Sequence, residues 1–234
     1  MFINISYKYK SKNYDLRKKK ISLIIIHYTE TKTLEESIRI LTSNKSKVSC
    51  HFVIDKNGDI YNLVKIKYRA WHAGVSKWKR LSDINSSSIG IELVNAGEKS
   101  NEEFSNLQID NLIKLIIQLK KEYNINSNDV LGHSDIAPSR KIDPGIYFPW
   151  KKLFKFSIGN WTNTRGEKKP LQQDEKYFLL NNLKRIGYPI MNINDNQTNN
   201  KVVDAFHRHY LTELVGHSAD QRSLLKSVDL LKNN

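Results

Sequence analysis

Cysteine is almost absent from this chain: Cys50 stands alone among 234 residues. An intramolecular disulfide is thereby excluded, and so is a metal cluster built on thiolates. Cys50 itself reads as a small buried hydrophobe in a strand. Long apolar runs are missing too. The longest, Leu23 to Ile26 with Ile21 beside it, is far short of the roughly 20 residues that a membrane-crossing helix needs. The first twenty residues are rich in Lys and Tyr. They lack the apolar core of about 7–15 residues that a secretion signal requires, so no export route is visible. Zinc-finger spacing, an aromatic RNA-binding signature and a Walker-type phosphate loop are all lacking. There is no internal repeat, and no low-complexity tract beyond a bias to Asn and Lys.

Acidic residues are scarce relative to basic ones, 24 against 38, leaving a formal charge of +14. That balance suits nucleic acid, an anionic envelope polymer or an acidic membrane surface. Seven of the cations fall in the first twenty positions: Lys8, Lys10, Lys12, Arg17, Lys18, Lys19 and Lys20. The plainest reading is a solvated, Lys-biased arm, and without a nucleic-acid motif no nucleic-acid partner is expected. With 39% hydrophobic and 26% charged residues the chain reads as soluble and globular, long enough for one sizeable core and a small appendage.

Periodicity sets out the organisation. Ile21 to Ile26 is a β-branched run without charge, as in a strand covered on both faces. Thr33 with Glu36 forms a capping box ahead of a helix over 34–41, and Ser105 with Gln108 a second one. From there Ile109, Leu112, Ile113, Ile116, Leu119 and Tyr123 recur at helical spacing. Strands are expected over 49–54 and 60–64, joined by a turn at Asn57-Gly58, and over 88–94. Residues 156–173, with Gly159, Asn160, Asn163, Gly166 and Lys169-Pro170, read as a linker. Beyond it three amphipathic segments, about 174–187, 200–210 and 221–231, predict a three-helix domain over 174–234. His207 and His209 lie two apart and so on different helix faces, which argues against a metal site there.

The chemistry concentrates between Gly132 and Gly145. His133, Lys141 and Asp143 crowd into eleven residues, in a stretch that Pro138 and Pro144-Gly145 mark as a fixed loop. Imidazole and carboxylate are both good zinc ligands. In an extended segment Lys141 and Asp143 point the same way and can serve one pocket. Two ligands do not complete a zinc site, so a third must come from elsewhere. His27, where the uncharged strand gives way to a loop, is a candidate. Glu92 stands in a strand between Ile91 and Leu93, on the opposite face from both. A carboxylate there is paired, at an edge, or catalytic. Trp71 and His72, among Ala70, Ala73 and Gly74, suit a groove wall.

Five segments occurring in order then become recognisable: Ile26-His27-Tyr28-Thr29, Ser49-Cys50-His51-Phe52-Val53-Ile54, Trp71-His72-Ala73-Gly74, Ser88-Ile89-Gly90-Ile91-Glu92 and His133 to Gly145. Together they resemble the zinc-dependent N-acetylmuramoyl-L-alanine amidases of the AmpD/AmiD type, over about residues 20–155. The segments Leu183 to Tyr188 and Val203 to His209 more loosely resemble a helical peptidoglycan-binding domain. The resemblance implies an α/β fold, a mixed central β-sheet flanked by helices, with catalytic residues 1–155 followed by the three-helix domain. It implies one Zn2+ per chain on His27, His133 and Asp143, with Glu92 and Lys141 catalytic. His51, Trp71, His72 and Arg140 are expected to meet substrate. The implied reaction is hydrolysis of the amide between N-acetylmuramic acid, or its 1,6-anhydro form, and L-Ala of the stem peptide. The chain is expected to act as a monomer on peptidoglycan or muropeptides. Tyr28, where relatives vary, leaves the pocket shape open. The resemblance favours the bacterial envelope, while the missing signal leaves the cytoplasm open. A non-catalytic peptidoglycan recognition module is the alternative; such relatives typically lack a metal ligand, and none is missing here.

Overall fold

The uncharged run becomes an interior strand of the sheet in a computed structural model that describes residues 3–232. In chain order the elements are β1 (Ile5–Ser6), β2 (Tyr14–Leu16), β3 (Leu23–Tyr28), α1 (Leu34–Thr42), β4 (Phe52–Ile54), β5 (Ile60–Asn62), β6 (Tyr68–Ala70), α2 (Ile84–Ser87), β7 (Ser88–Leu93) and α3 (Asn106–Tyr123). They continue with β8 (Val130–Gly132), α4 (His133–Ile136), α5 (Trp150–Phe154), α6 (Gln173–Ile186), α7 (Asn196–Tyr210) and α8 (Gln221–Lys232). The main sheet has the order β1-β5-β4-β7-β3-β8, mixed because β4 and β5 pair antiparallel while the other pairs are parallel. The expected mixed sheet flanked by helices is therefore present.

Alternation along β3 divides the two faces. Ile24 and Ile26 pack with Ile89, Ile91 and the apolar stripe of α3. Leu23 and Ile25 face the other way and share one core with Leu131, Ile136, Leu183, Val202, Phe206 and Leu230. Helices α6, α7 and α8 thus cover the sheet face that carries His27. The intervening segment is packed as well: Ile158 is fully buried, and Lys226 donates to Thr162 O while sitting over the Trp161 ring.

The basic arm is woven into the fold. β1 is an edge strand beside β5, and β2 pairs with β6. Arg17, expected on a solvated surface, instead turns inward. Its guanidinium donates to the carbonyls of Ile66, Tyr68, Asn85, Ser86 and Ser88. A planar fork of donors suits such a cage of backbone acceptors. Both capping residues accept as expected, Thr33 from Glu36 N and Ser105 from Gln108 N. Neither box closes reciprocally: Glu36 Oε2 accepts from Lys32 N and not from Thr33 N, and the Gln108 side chain donates to Ile54 O and Val94 O, tying α3 to the sheet.

Candidate metal centre

Register brings the first groups together. β3 and β7 are parallel with His27 opposite Glu92, so both side chains rise from the same face. β8 flanks β3 on its other side with Gly132 opposite Ile26, which delivers His133 beside His27. The chain then loops back so that Asp143 O accepts from Ser134 N, returning the Asp143 carboxylate to the same point. Gly132 permits this return, since a Cβ there would lie 2.7 Å from Pro144 Cδ.

The result is a buried triangle. His27 Nδ1 lies 3.0 Å from His133 Nδ1 and 3.0 Å from Asp143 Oδ2, and His133 Nδ1 lies 3.1 Å from Asp143 Oδ2. The three residues are at most 6% exposed. Their outward nitrogens fix the protons. Ser88 Oγ donates to Ile84 O at 2.6 Å, so His72 Nε2 donates to Ser88 Oγ at 3.2 Å. His72 Nδ1 is then free to accept from His27 Nε2 at 3.0 Å, which leaves His27 Nδ1 without a proton. His133 Nε2 donates to Ala73 O at 3.1 Å, which turns its Nδ1 toward His27 and Asp143. Burial, with His133 next to it, pushes His27 down to about 4. For Asp143 burial opposes ionisation, but the two histidines beside it outweigh burial and hold the carboxyl well below its usual range. Two imidazole nitrogens and a carboxylate oxygen therefore converge on one point, each 3.0–3.1 Å from the others. A cation can take all three at once, and the donor set of two nitrogens and one oxygen is that of an open zinc site. The residues present fit a metal, and they can hold one.

Above the triangle lies a cavity of about 150 Å3 lined also by Glu92, Lys141, Trp71 and His72. Glu92 Oε2 is buried and has no hydrogen-bond partner. Burial, then the charge of Asp143, raise this carboxyl well above its ordinary 4.5, and Lys141 pulls the other way. An adjoining cavity of about 350 Å3 runs past Trp71, Arg69 and Arg140. The Trp71 indole donates to Asp15 Oδ2 at 2.7 Å, which fixes it as a wall. Arg140 is spent on the opposite rim, donating to the carbonyls of Ala73 and Val75. A larger cavity of about 550 Å3 lies apart from the triangle, between α6, α7 and residues 216–219.

Residues 17–146 match the N-acetylmuramoyl-L-alanine amidase family. The chain belongs to that family. Over 220 residues it is 34% identical to N-acetylmuramoyl-L-alanine amidase AmiD of Escherichia coli (strain K12), covering 86% of this chain and 79% of AmiD. The E. coli AmiD structure in complex with anhydro-N-acetylmuramic acid-L-Ala-D-γ-Glu-L-Lys superposes with a TM-score of 0.83 at 31% identity, covering 92% of this chain and 90% of that one. AmpDh3 from Pseudomonas aeruginosa in complex with anhydromuramic pentapeptide gives 0.81 at 28% identity, over 99% of both chains. At 92% and 99% of this chain, both likenesses reach past residue 146 into the C-terminal helices. Within this amidase fold no helix among the described residues is long and apolar enough to cross a membrane.

One expected substrate contact is corrected by the structure. His51 is fully buried, with Nδ1 accepting from Gly90 N and Nε2 against Tyr68 O and Arg17, so it does not reach the groove. His72 lines the cavity but spends both nitrogens on His27 and Ser88. Its ring fills the space over Gly90, where a Cβ would lie 2.4 Å from it. Neither role has a local signal, because each depends on partners distant in sequence. His51 has a consequence for stability. Burial, then Arg17, push it down to about 3, from an ordinary 6.5. The unfolded chain therefore binds a proton below pH 6.5 that the folded chain refuses. Stability is complete above that pH and falls as pH drops toward the folded value, by up to about 1.4 kcal/mol per unit for each such histidine. Urea unfolding from pH 7 to 4 should show this loss, and His51→Gln should make it shallower. A flat profile would contradict the burial argument.

Proposed function

We propose that the chain is a zinc-dependent amidase that cleaves between the lactyl carbonyl of N-acetylmuramic acid and the amine of L-Ala, accepting muropeptides in the 1,6-anhydro form. The buried triangle of His27, His133 and Asp143, with Glu92 and Lys141 lining the cavity above it, carries this reading. The AmiD and AmpDh3 complexes, both with anhydromuramic peptides, support the substrate class. When bound by the triangle, zinc supplies a Lewis acid for the carbonyl and brings the pKa of water toward about 7.

The remaining roles belong to the chain. Glu92, unpartnered at Oε2, accepts the proton of the attacking water as its oxygen bonds to the carbonyl carbon. A carboxyl raised toward the working pH is well matched to that task and to returning the proton to the leaving nitrogen as the C–N bond breaks. The Lys141 ammonium offers donors to the carbonyl oxygen as negative charge gathers there. Trp71, braced by Asp15, supplies a flat wall for sugar or peptide. We assign the helices over 174–234 a peptidoglycan-binding role, supported by the amides of Gln173, Asn196, Asn199 and Asn200 and by Tyr177 around their cavity.

Mass spectrometry of products from purified anhydro-muropeptides and from intact sacculi, run side by side with zinc present, tests the reaction. Free stem peptide and the peptide-free sugar are expected. Binding without cleavage would overturn it and leave a recognition module.

A further inference from the structure

We propose that two consecutive residues of α7, Arg208 and His209, are positioning residues that clamp both ends of the loop bearing His133, Lys141 and Asp143. The inference deepens the zinc-amidase reading and, for its effect on metal, rests on it.

At the loop's start stands Asp135, two residues after His133 and 1% exposed. Its Oδ2 accepts from Gly132 N at 2.8 Å and from His209 Nδ1 at 2.9 Å, while Oδ1 accepts from Tyr188 OH at 2.7 Å. Two of these three bonds come from the C-terminal helices and the turn between them. The His209 ring is fixed in turn, lying 3.9 Å from the Trp150 ring at 15° and 4.1 Å from that of Tyr210 at 11°. A buried carboxylate gripped by oriented donors fixes the backbone around it, and here that backbone is the peptide entering His133.

At the loop's end the same helix reaches Glu98. Arg208 Nε donates to Glu98 Oε2 at 3.2 Å and Nη2 to Oε1 at 3.3 Å, a two-pronged pair with both side chains 15% exposed. Glu98 Oε2 also accepts from Ile146 N at 3.1 Å, three residues after Asp143. Arg208 thus reaches the loop's exit through one carboxylate, just as His209 reaches its entry through another. Between the two anchors, Ile136 and Ala137 pack in the core that holds Val202, Ala205 and Phe206 of α7. No group of α7 enters the triangle. Its contribution is to hold ligands from two chain segments at their mutual 3.0–3.1 Å spacing.

The test compares the full-length chain with R208A/H209L, H209N and L230A. Leu230 lies in α8, fully buried in the same core, and loosens the helices without touching the loop's anchors. Hydrogen exchange over 133–146 reads the clamp directly. Zinc affinity by chelator competition, with kcat and KM separately, reads its consequence. R208A/H209L should speed exchange in that loop and weaken zinc about 10–100-fold, the usual effect of losing groups that orient ligands. kcat should fall with KM nearly constant. H209N, whose amide nitrogen can replace Nδ1 as donor, should restore most of the His209 share. L230A should lower Tm yet leave loop exchange and zinc affinity at wild-type values. Equal loop exchange in R208A/H209L and L230A would overturn the clamp. A wild-type chain that binds no zinc would instead defeat the zinc reading, and loop exchange would still decide the clamp.

Discussion

Glu92→Gln should lower kcat by about 10²–10⁴-fold while the chain keeps its full complement of metal and its fold. The substitution preserves shape and removes only the ability to ionise. Glu92 is no member of the triangle, so zinc analysis should not change. Nor does its Oε2 hold anything in place, since that atom has no partner. A carboxylate whose pKa burial raises well above 4.5 opposes folding at neutral pH, because at Oε2 its charged form has lost water without gaining a donor. The amide has no such charge to desolvate. Tm in the variant should therefore equal or exceed that of the wild type, even as turnover collapses. Stopped assays with a muropeptide, metal analysis and thermal unfolding on the same preparation check all three expectations. Wild-type turnover in the variant would remove Glu92 from the mechanism, and zinc loss would make it a ligand instead.

What could be read in advance follows a physical division. β3 was legible because a strand covered on both faces has no room for charge, and Ile21 to Ile26 contains none. The turn at Gly58 was legible because φ there is +89°, a conformation that favours glycine. The triangle's members were visible as residue types at the end of a strand and within a Pro-marked loop. Their convergence was not, since it needs β8 to settle beside β3 over a separation of more than a hundred residues. The same holds for Arg17 and His51. A basic residue among lysines carries no local mark that its guanidinium will be caged by five carbonyls. The stripes of α6, α7 and α8 announced helices with a buried face. They did not announce that this face shares its core with Leu23 and Ile25 of the sheet. His207 and His209 do face different partners, as their spacing required: Leu214 O and Ser223 for one, Asp135 for the other.

Chelation should abolish turnover reversibly and lower Tm, and Asp143→Asn should lose both responses. Binding that is confined to the folded state stabilises it by RT ln(1 + [L]/Kd), about 4 kcal/mol at a thousandfold excess over Kd. For a chain of this size that corresponds to roughly 8–16 °C in Tm. The wild-type triangle holds two Nδ1 atoms and a carboxylate oxygen at 3.0–3.1 Å, three groups that one cation can take together. Asparagine at 143 keeps the shape and removes the anionic ligand. Added zinc should therefore raise the Tm of the metal-free wild type and leave the variant unmoved. That loss of the zinc-dependent rise is the diagnostic result. If chelator leaves wild-type Tm unchanged, or if zinc stabilises Asp143→Asn as strongly as the wild type, the three groups do not form a metal site.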